Sequence, residues 1–181
     1  VPGGSVSSLL KRFGPFSVDI VKTYVQQVLK GLEYLHSHGI IHRDIKGGNI
    51  LVSNDGSVKE ADFGASKKIE ALGPESGDRM AMTMRGTPYF MAVEVFDGKY
   101  GQKADIWSVG GVIYQMVTGL PPWKNLGFKN PVTLIRHITD HSSPPELPFL
   151  KNCDRHDLSL LKNILSKCFE RDPSNRPSAS E

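Results

Sequence analysis

A strand–turn–strand pattern with an acidic residue beyond each end is the feature that most limits how this chain can fold. Ile50-Leu51-Val52 precedes a polar turn, Ser53-Asn54-Asp55-Gly56-Ser57, and the chain returns to an apolar residue at Val58. Apolar runs on either side of a Gly-containing polar turn predict a short β-hairpin. Just upstream lies His42-Arg43-Asp44-Ile45-Lys46-Gly47-Gly48-Asn49, and just downstream Asp62-Phe63-Gly64. Closing such a hairpin brings Asp44, Asn49 and Asp62 to one rim. Two carboxylates and an amide there suit a proton acceptor placed beside oxygen ligands for a hard cation. One Asp alone reads as a solvated loop acid. Asp44, Lys46, Asn49 and Asp62 in register do not.

The rest of the chain reads as mostly helical. Ser17 before Val18-Asp19-Ile20 has the form of an N-cap with an acid in the first turn. Ile20, Val21, Tyr24, Val25, Val28, Leu29, Leu32 and Leu35 then recur at helical spacing until Gly39. A second helix is expected from about Ala104 to Thr118, stopped by Gly119-Leu120-Pro121-Pro122, and a third from about Pro131 to Thr139. A fourth opens at Asp154 or His156 and carries Leu158, Leu160, Leu161, Ile164, Leu165, Cys168 and Phe169 on its apolar face. Strand is expected only around residues 50–61. The resulting fold class is α+β, a mostly helical unit with one small hairpin. Residues 67–85 show no stable periodicity, and a loop of this length inside a compact unit tends to be functional.

Bulk properties narrow the classes. A chain of 181 residues fits one domain. A formal charge of +3 is too small to argue for nucleic acid, and no block of like charges concentrates it. No apolar run approaches the roughly 18–20 residues a membrane span needs, and no signal peptide opens the chain. Cys153 and Cys168 have no metal-type spacing and make no disulfide framework, so a reduced, cytoplasmic setting is expected.

The two strings around the hairpin resemble the catalytic loop and the Asp-Phe-Gly segment of eukaryotic protein kinases. The whole chain is similar to the larger, C-terminal lobe of that family. Val1-Pro2-Gly3-Gly4-Ser5-Val6-Ser7-Ser8-Leu9-Leu10 and Gly64-Ala65-Ser66-Lys67-Lys68 look most like the kinases that activate MAP kinase kinases. The resemblance implies a partial kinase domain over residues 1–181, from the end of the hinge to the start of the last helix, with the N-terminal lobe absent. The Gly-rich phosphate loop, strand lysine and helix glutamate of the family are not found and would lie upstream of Val1. Negligible kinase activity is therefore expected of the 181 residues alone.

The resemblance also implies ATP and Mg²⁺ as cosubstrate and cofactor, and protein substrates that include MAP kinase kinases. Asp44 would accept the substrate hydroxyl proton, Lys46 would face the transferring phosphate, and Asn49 and Asp62 would hold Mg²⁺. Gly64 would let the backbone turn after the metal ligand. His42 would be a packed core residue stacked on Phe63. Lys46 and Thr87 point to serine/threonine rather than tyrosine specificity, with Thr87 placed to bond Asp44 and Lys46. Arg43 before Asp44 implies control by loop phosphorylation. Ser66, Ser76, Thr83 and Thr87 are the candidate hydroxyls and Thr83 the first choice. Asp105 would accept backbone N–H groups near His42 and Arg43, or serve as an ordinary N-cap, and Glu94 and Arg176 would form a buried ion pair. Val1 would lie on the adenine-binding hinge, Leu51 under the adenine and Ser5 near the ribose; core packing is the plain reading of Leu51. Two departures stand out. Val93 occupies a position where the family usually has Pro, and Glu60 one where a buried apolar residue is common. They keep open the alternative of a catalytically inactive, pseudokinase-like scaffold.

Overall fold

The computed structural model describes residues 3–62, 64, 66–68, 88–150 and 153–181. Val1, Phe63, Ser76, Thr83 and Thr87 lie outside them. Among the described residues the order is α1 (Val6–Phe13), α2 (Val18–Ser37), β1 (Ile40–Ile41), β2 (Ile50–Val52), β3 (Val58–Glu60), β4 (Lys67–Lys68), α3 (Val93–Phe96), α4 (Gln102–Thr118), α5 (Pro131–Asp140) and α6 (Arg155–Cys168).

At the centre is α4, apolar on nearly every side, as expected of a fully enclosed helix. Gly119 closes it in the left-handed conformation. Packed on α4 are α2, through Val21, Val25, Val28 and Leu32, and α6, through Leu161, Leu165 and Cys168. Burial pushes the Cys168 thiol up to about 12, so it behaves as a small apolar group. Trp107, Trp123 and Phe169 form an aromatic cluster, with Trp107 and Phe169 edge to face at 5.0 Å. No helix among the described residues is long and apolar enough to cross a membrane.

The long helices fall where periodicity puts them, but several local details differ. Ser17 sits at the N-cap position of α2 with extended backbone, yet its hydroxyl makes no capping bond. Ile20 leaves the apolar face and is 42% exposed. Strand is not confined to the hairpin: β1 pairs antiparallel with β4, Ile40 opposite Lys68 and Ile41 opposite Lys67. Two-residue strands are too short to show alternation. The helix α1 went unpredicted as well. Ser5 caps it in a reciprocal box, accepting from the Ser8 N–H while Ser8 Oγ accepts from the Ser5 N–H.

The hairpin has the expected register, with Ile50 opposite Glu60 and Val52 opposite Val58. It lies on α2, whose Gln27 accepts from the Val58 N–H at 2.8 Å and donates to the Gly56 carbonyl. Ile50 and Val52 point into the core and Leu51 between them does not. Leu51 is half-buried and stands outside the core cluster, so it is not core packing, and its backbone pairs with Ser5 along the edge of β2. Glu60 is accommodated without disturbing the strand. Its carboxylate lies against Gly31 in the middle of α2, where a Cβ would come within 3.0 Å of Oε1. A helix-interior glycine costs roughly 1 kcal/mol relative to alanine, and here it makes room for an acid.

Candidate active site

The hairpin and the end of α4 together position the loop 42–49. Asp105, in the first turn of α4, is almost completely buried and turns away from its own helix. Its Oδ2 accepts from the His42 N–H and its Oδ1 from the Arg43 N–H, both at 2.9 Å. The helix begins at Gln102 with Gly101 at the cap, so Asp105 is not the N-cap. His36, in the last turn of α2, places Nε2 2.8 Å from Asp105 Oδ2, and Gln102 donates to the His36 carbonyl. One carboxylate thus ties α2, α4 and the loop together. His36 could not be found by sequence reasoning: four residues after Leu32 it continues the buried face of α2, and its partner Asp105 is far along the chain.

These bonds hold an uncommon backbone. Arg43 has φ of 71°, a left-handed conformation that costs a non-glycine residue about 1–3 kcal/mol. Its guanidinium lies 4.2 Å over the Tyr100 ring. His42 is fully buried, as expected of a core residue, and its Nδ1 accepts from the Asp44 N–H at 3.3 Å. Burial holds its pKa below the usual value, opposed by the charges of Asp105, Asp44 and Asp62.

Asp44 stands past this anchor. Lys46 Nζ donates to both of its carboxylate oxygens, at 2.9 and 2.7 Å, and Asn49 Nδ2 donates to Oδ2 at 2.7 Å. Asn49 Nδ2 also reaches the Asp44 carbonyl at 2.9 Å. The turn between them is closed by the Asn49 N–H on the Lys46 carbonyl. Asp44 and Lys46 remain partly open to solvent. The carboxylate is oriented yet accessible.

Asp62 joins from the other arm of the hairpin. The Ala61 N–H donates to the Asn49 carbonyl at 2.8 Å, which fixes where the chain enters Asp62. Asp62 itself has φ of 63°, and its Oδ1 accepts from the Gly64 N–H at 3.3 Å. A sharp turn is therefore made at Asp62 itself. The short acidic side chain bonding the backbone two residues on supports this conformation.

The donor set fits Mg²⁺. Asn49 spends its N–H groups on Asp44, which leaves its side-chain carbonyl oxygen unspent, and Asp62, which follows the Ala61 N–H bonded to the Asn49 backbone carbonyl, brings a second hard oxygen donor. Among the described residues no group of three or more His, Cys, Asp or Glu side chains could hold a metal ion. A Mg²⁺ held by one or two protein oxygens plus phosphates and water needs no such group.

Glu60 lies behind this rim. Its Oε1 is buried without a hydrogen-bond partner among the described residues, and burial, with a smaller contribution from the Asp105 charge, raises its pKa to about 7. Below Asp105, Arg176 is buried against Glu94, with contacts at 2.8 and 3.2 Å. It also donates to the carbonyls of Glu170 and Lys103. Val93 opens α3 without disturbing that pair.

Comparison with known proteins agrees with this geometry. A family model described as protein kinase domain matches residues 1–181. Mitogen-activated protein kinase kinase kinase 2 of Arabidopsis thaliana is 49% identical over 182 residues, covering 100% of this chain and 26% of that protein. Mitogen-activated protein kinase kinase kinase A of Dictyostelium discoideum is 42% identical over 182 residues, 100% of this chain and 18% of the relative. Mitogen-activated protein kinase kinase kinase 3 of Homo sapiens is 38% identical, again over 100% of this chain and 27% of the relative. The chain thus spans about a quarter or less of the curated relatives it matches. With an end-to-end family match and an Asp, Lys and Asn gathered on one rim beside Asp62, the chain belongs to the protein kinase family.

Proposed function

We propose that these residues form the catalytic half of a serine/threonine kinase that moves the γ-phosphate of ATP to a protein hydroxyl, in the position of a MAP kinase kinase kinase. The observation that carries this reading is the Asp44 carboxylate, held by Lys46 and Asn49 at 2.7–2.9 Å and still open to solvent. Such a group can take a proton from a hydroxyl as it attacks. Lys46, with its compact charge, would also meet the transferring phosphate. Asn49 and Asp62 would hold Mg²⁺, which when bound neutralises charge between the phosphates. Leu51 and Ser5, bridged on the outer side of the hairpin, would support adenine and ribose, with Val1 on the hinge.

Two finer parts belong to the same proposal. MAP kinase kinases are the proposed substrates, supported by the printed names of the relatives. Control by phosphate on Thr83, received by Arg43, is supported by the Arg43-Asp44 order, and Thr87 is assigned to bond Asp44 and Lys46. A cytoplasmic site of action accords with two free thiols. The reading calls for a polypeptide that supplies the family's Gly-rich phosphate loop and its accompanying lysine, motifs not found in these 181 residues.

The test is phosphate transfer from labelled ATP by a polypeptide that joins these residues to such a lobe. The reading expects Mg²⁺-dependent labelling of Ser or Thr and loss of it in Asp44→Asn. Equal labelling by wild type and Asp44→Asn would refute it, and ATP binding without transfer would favour the inactive scaffold. Thr83→Ala with unchanged activity and loop phosphate would remove the regulatory part.

A further inference from the structure

Four polar or charged side chains are buried among the described residues: His42, Asp105, Gln115 and Arg176. Three of them have tasks already described. Gln115 does not, and it sits in α4 among Ile113, Tyr114, Met116 and Val117, where an apolar residue would be the inexpensive choice. Its Nε2 donates weakly to Ser7 Oγ at 3.4 Å, and its Oε1 is buried with no hydrogen-bond partner among the described residues. Orphaned buried acceptors are uncommon and call for a reason.

The reason lies at Gly47. A Cβ there would fall 2.4 Å from Gln115 Oε1 and 2.8 Å from Ser7 Oγ. On its other side Gly47 is tied to α1, whose Ser7 N–H donates to the Gly47 carbonyl at 2.9 Å. Gly47 is thus seated between the first turn of α1 and the Gln115 carboxamide. It is also the centre of the turn from Lys46 to Asn49, the two residues that grip the Asp44 carboxylate. Gln115 follows Asp105 along α4 by about 15 Å of helix. Asp105 holds the start of the loop, at His42 and Arg43, and Gln115 meets its end.

We propose that Gln115 is a positioning residue for phosphoryl transfer: with Ser7 it seats Gly47, so that the 46–49 turn presents Lys46 and Asn49 to Asp44. This rests on the kinase reading of the site. One buried helix then sets both ends of the catalytic loop, and a shift at either end misplaces groups on which the chemistry depends.

The test has two arms. In the 181-residue chain, Gln115→Met keeps the side-chain volume and removes the amide. Amide exchange at Ser7 and Asn49 should rise about tenfold, while His42 and Arg43, held by Asp105, stay within about twofold. In the lobe-complete polypeptide the same variant should lower kcat about tenfold or more, with KM for the protein substrate within about twofold. Gly47→Ala should be as damaging, and adding Gln115→Ala to it should restore part of kcat, because the nearer of the two clashing atoms is gone and only Ser7 Oγ has to give way. Faster exchange with unchanged kcat would make Gln115 merely structural and overturn the proposal. Lower kcat with unchanged exchange would also overturn it, since Gln115 would then act elsewhere than on Gly47. A wild type that transfers no phosphate would sink the kinase reading itself, and the exchange rates would still report whether Gln115 seats Gly47.

Discussion

Two ion pairs of nearly equal length do different work in this molecule. Lys46 meets Asp44 at 2.7 Å with side chains 35% and 28% exposed, and Arg176 meets Glu94 at 2.8 Å with 0% and 11%. Distance does not distinguish them; solvent does. In water the attraction of the first pair is weak and adds little to stability, which leaves Asp44 usable by a substrate. The second has lost its water, and every donor of its guanidinium finds a carbonyl or a carboxylate. Arg suits that place because its planar fork can satisfy several acceptors at once. The same chemistry is a working group at the rim and a fastening below it.

Changes at the two pairs should therefore separate activity from stability. Asp44→Asn in a lobe-complete polypeptide should cost roughly 10²–10⁴-fold in phosphate transfer while the melting temperature moves little. A large loss of stability would break the comparison from one side. From the other, Glu94→Ala strands a buried guanidinium and should cost about 3–5 kcal/mol in denaturant unfolding of the chain. Replacing both partners, by Glu94→Leu with Arg176→Met, should recover part of that loss, because no charge is left uncompensated.

Asp105 lies between the two extremes, and Asp105→Asn sharpens the contrast. The variant keeps one good acceptor for the His42 and Arg43 amides and loses the other, at about 1–3 kcal/mol. Both stability and transfer should fall, with amide exchange at those two residues rising together. Independent behaviour of the two amides would argue against a single anchoring carboxylate.

The effect that depends most on pH is expected at Glu60. Folded, this carboxyl keeps its proton up to about pH 7, whereas the unfolded value is near 4.5. Its contribution is fully present below the lower value and is lost as pH rises through the upper one. Glu60→Gln should therefore melt close to wild type at pH 5 and above it at pH 8. Equal melting at both would show that the carboxyl finds an unseen partner.

What sequence could reveal follows from how far each contact reaches along the chain. Asp44, Lys46 and Asn49 lie within one turn, so their spacing was enough to place them together. The long helices were legible for the same reason, since each repeats its apolar face within a few residues. Contacts between distant positions left no such trace. His36 meets Asp105, and Gln115 meets Gly47 and Ser7, across stretches that no periodicity links. Short elements were missed because two residues of β1 or four of α3 carry too little pattern. The left-handed backbone of Asp62 was hidden for another reason: glycine is the usual occupant of that conformation, but an Asp can hold it by bonding the Gly64 N–H.

The central claim is that Asn49 and Asp62 face one metal-bound nucleotide with Asp44 beside it. Paramagnetic broadening of backbone amides by Mn²⁺ with ATP, in a polypeptide carrying both lobes, tests it most directly. The account predicts that signals of Asn49, Asp62 and Gly64 vanish first and that Asp62→Ala abolishes the effect. Broadening centred on another acidic surface, with those three signals intact, would contradict it.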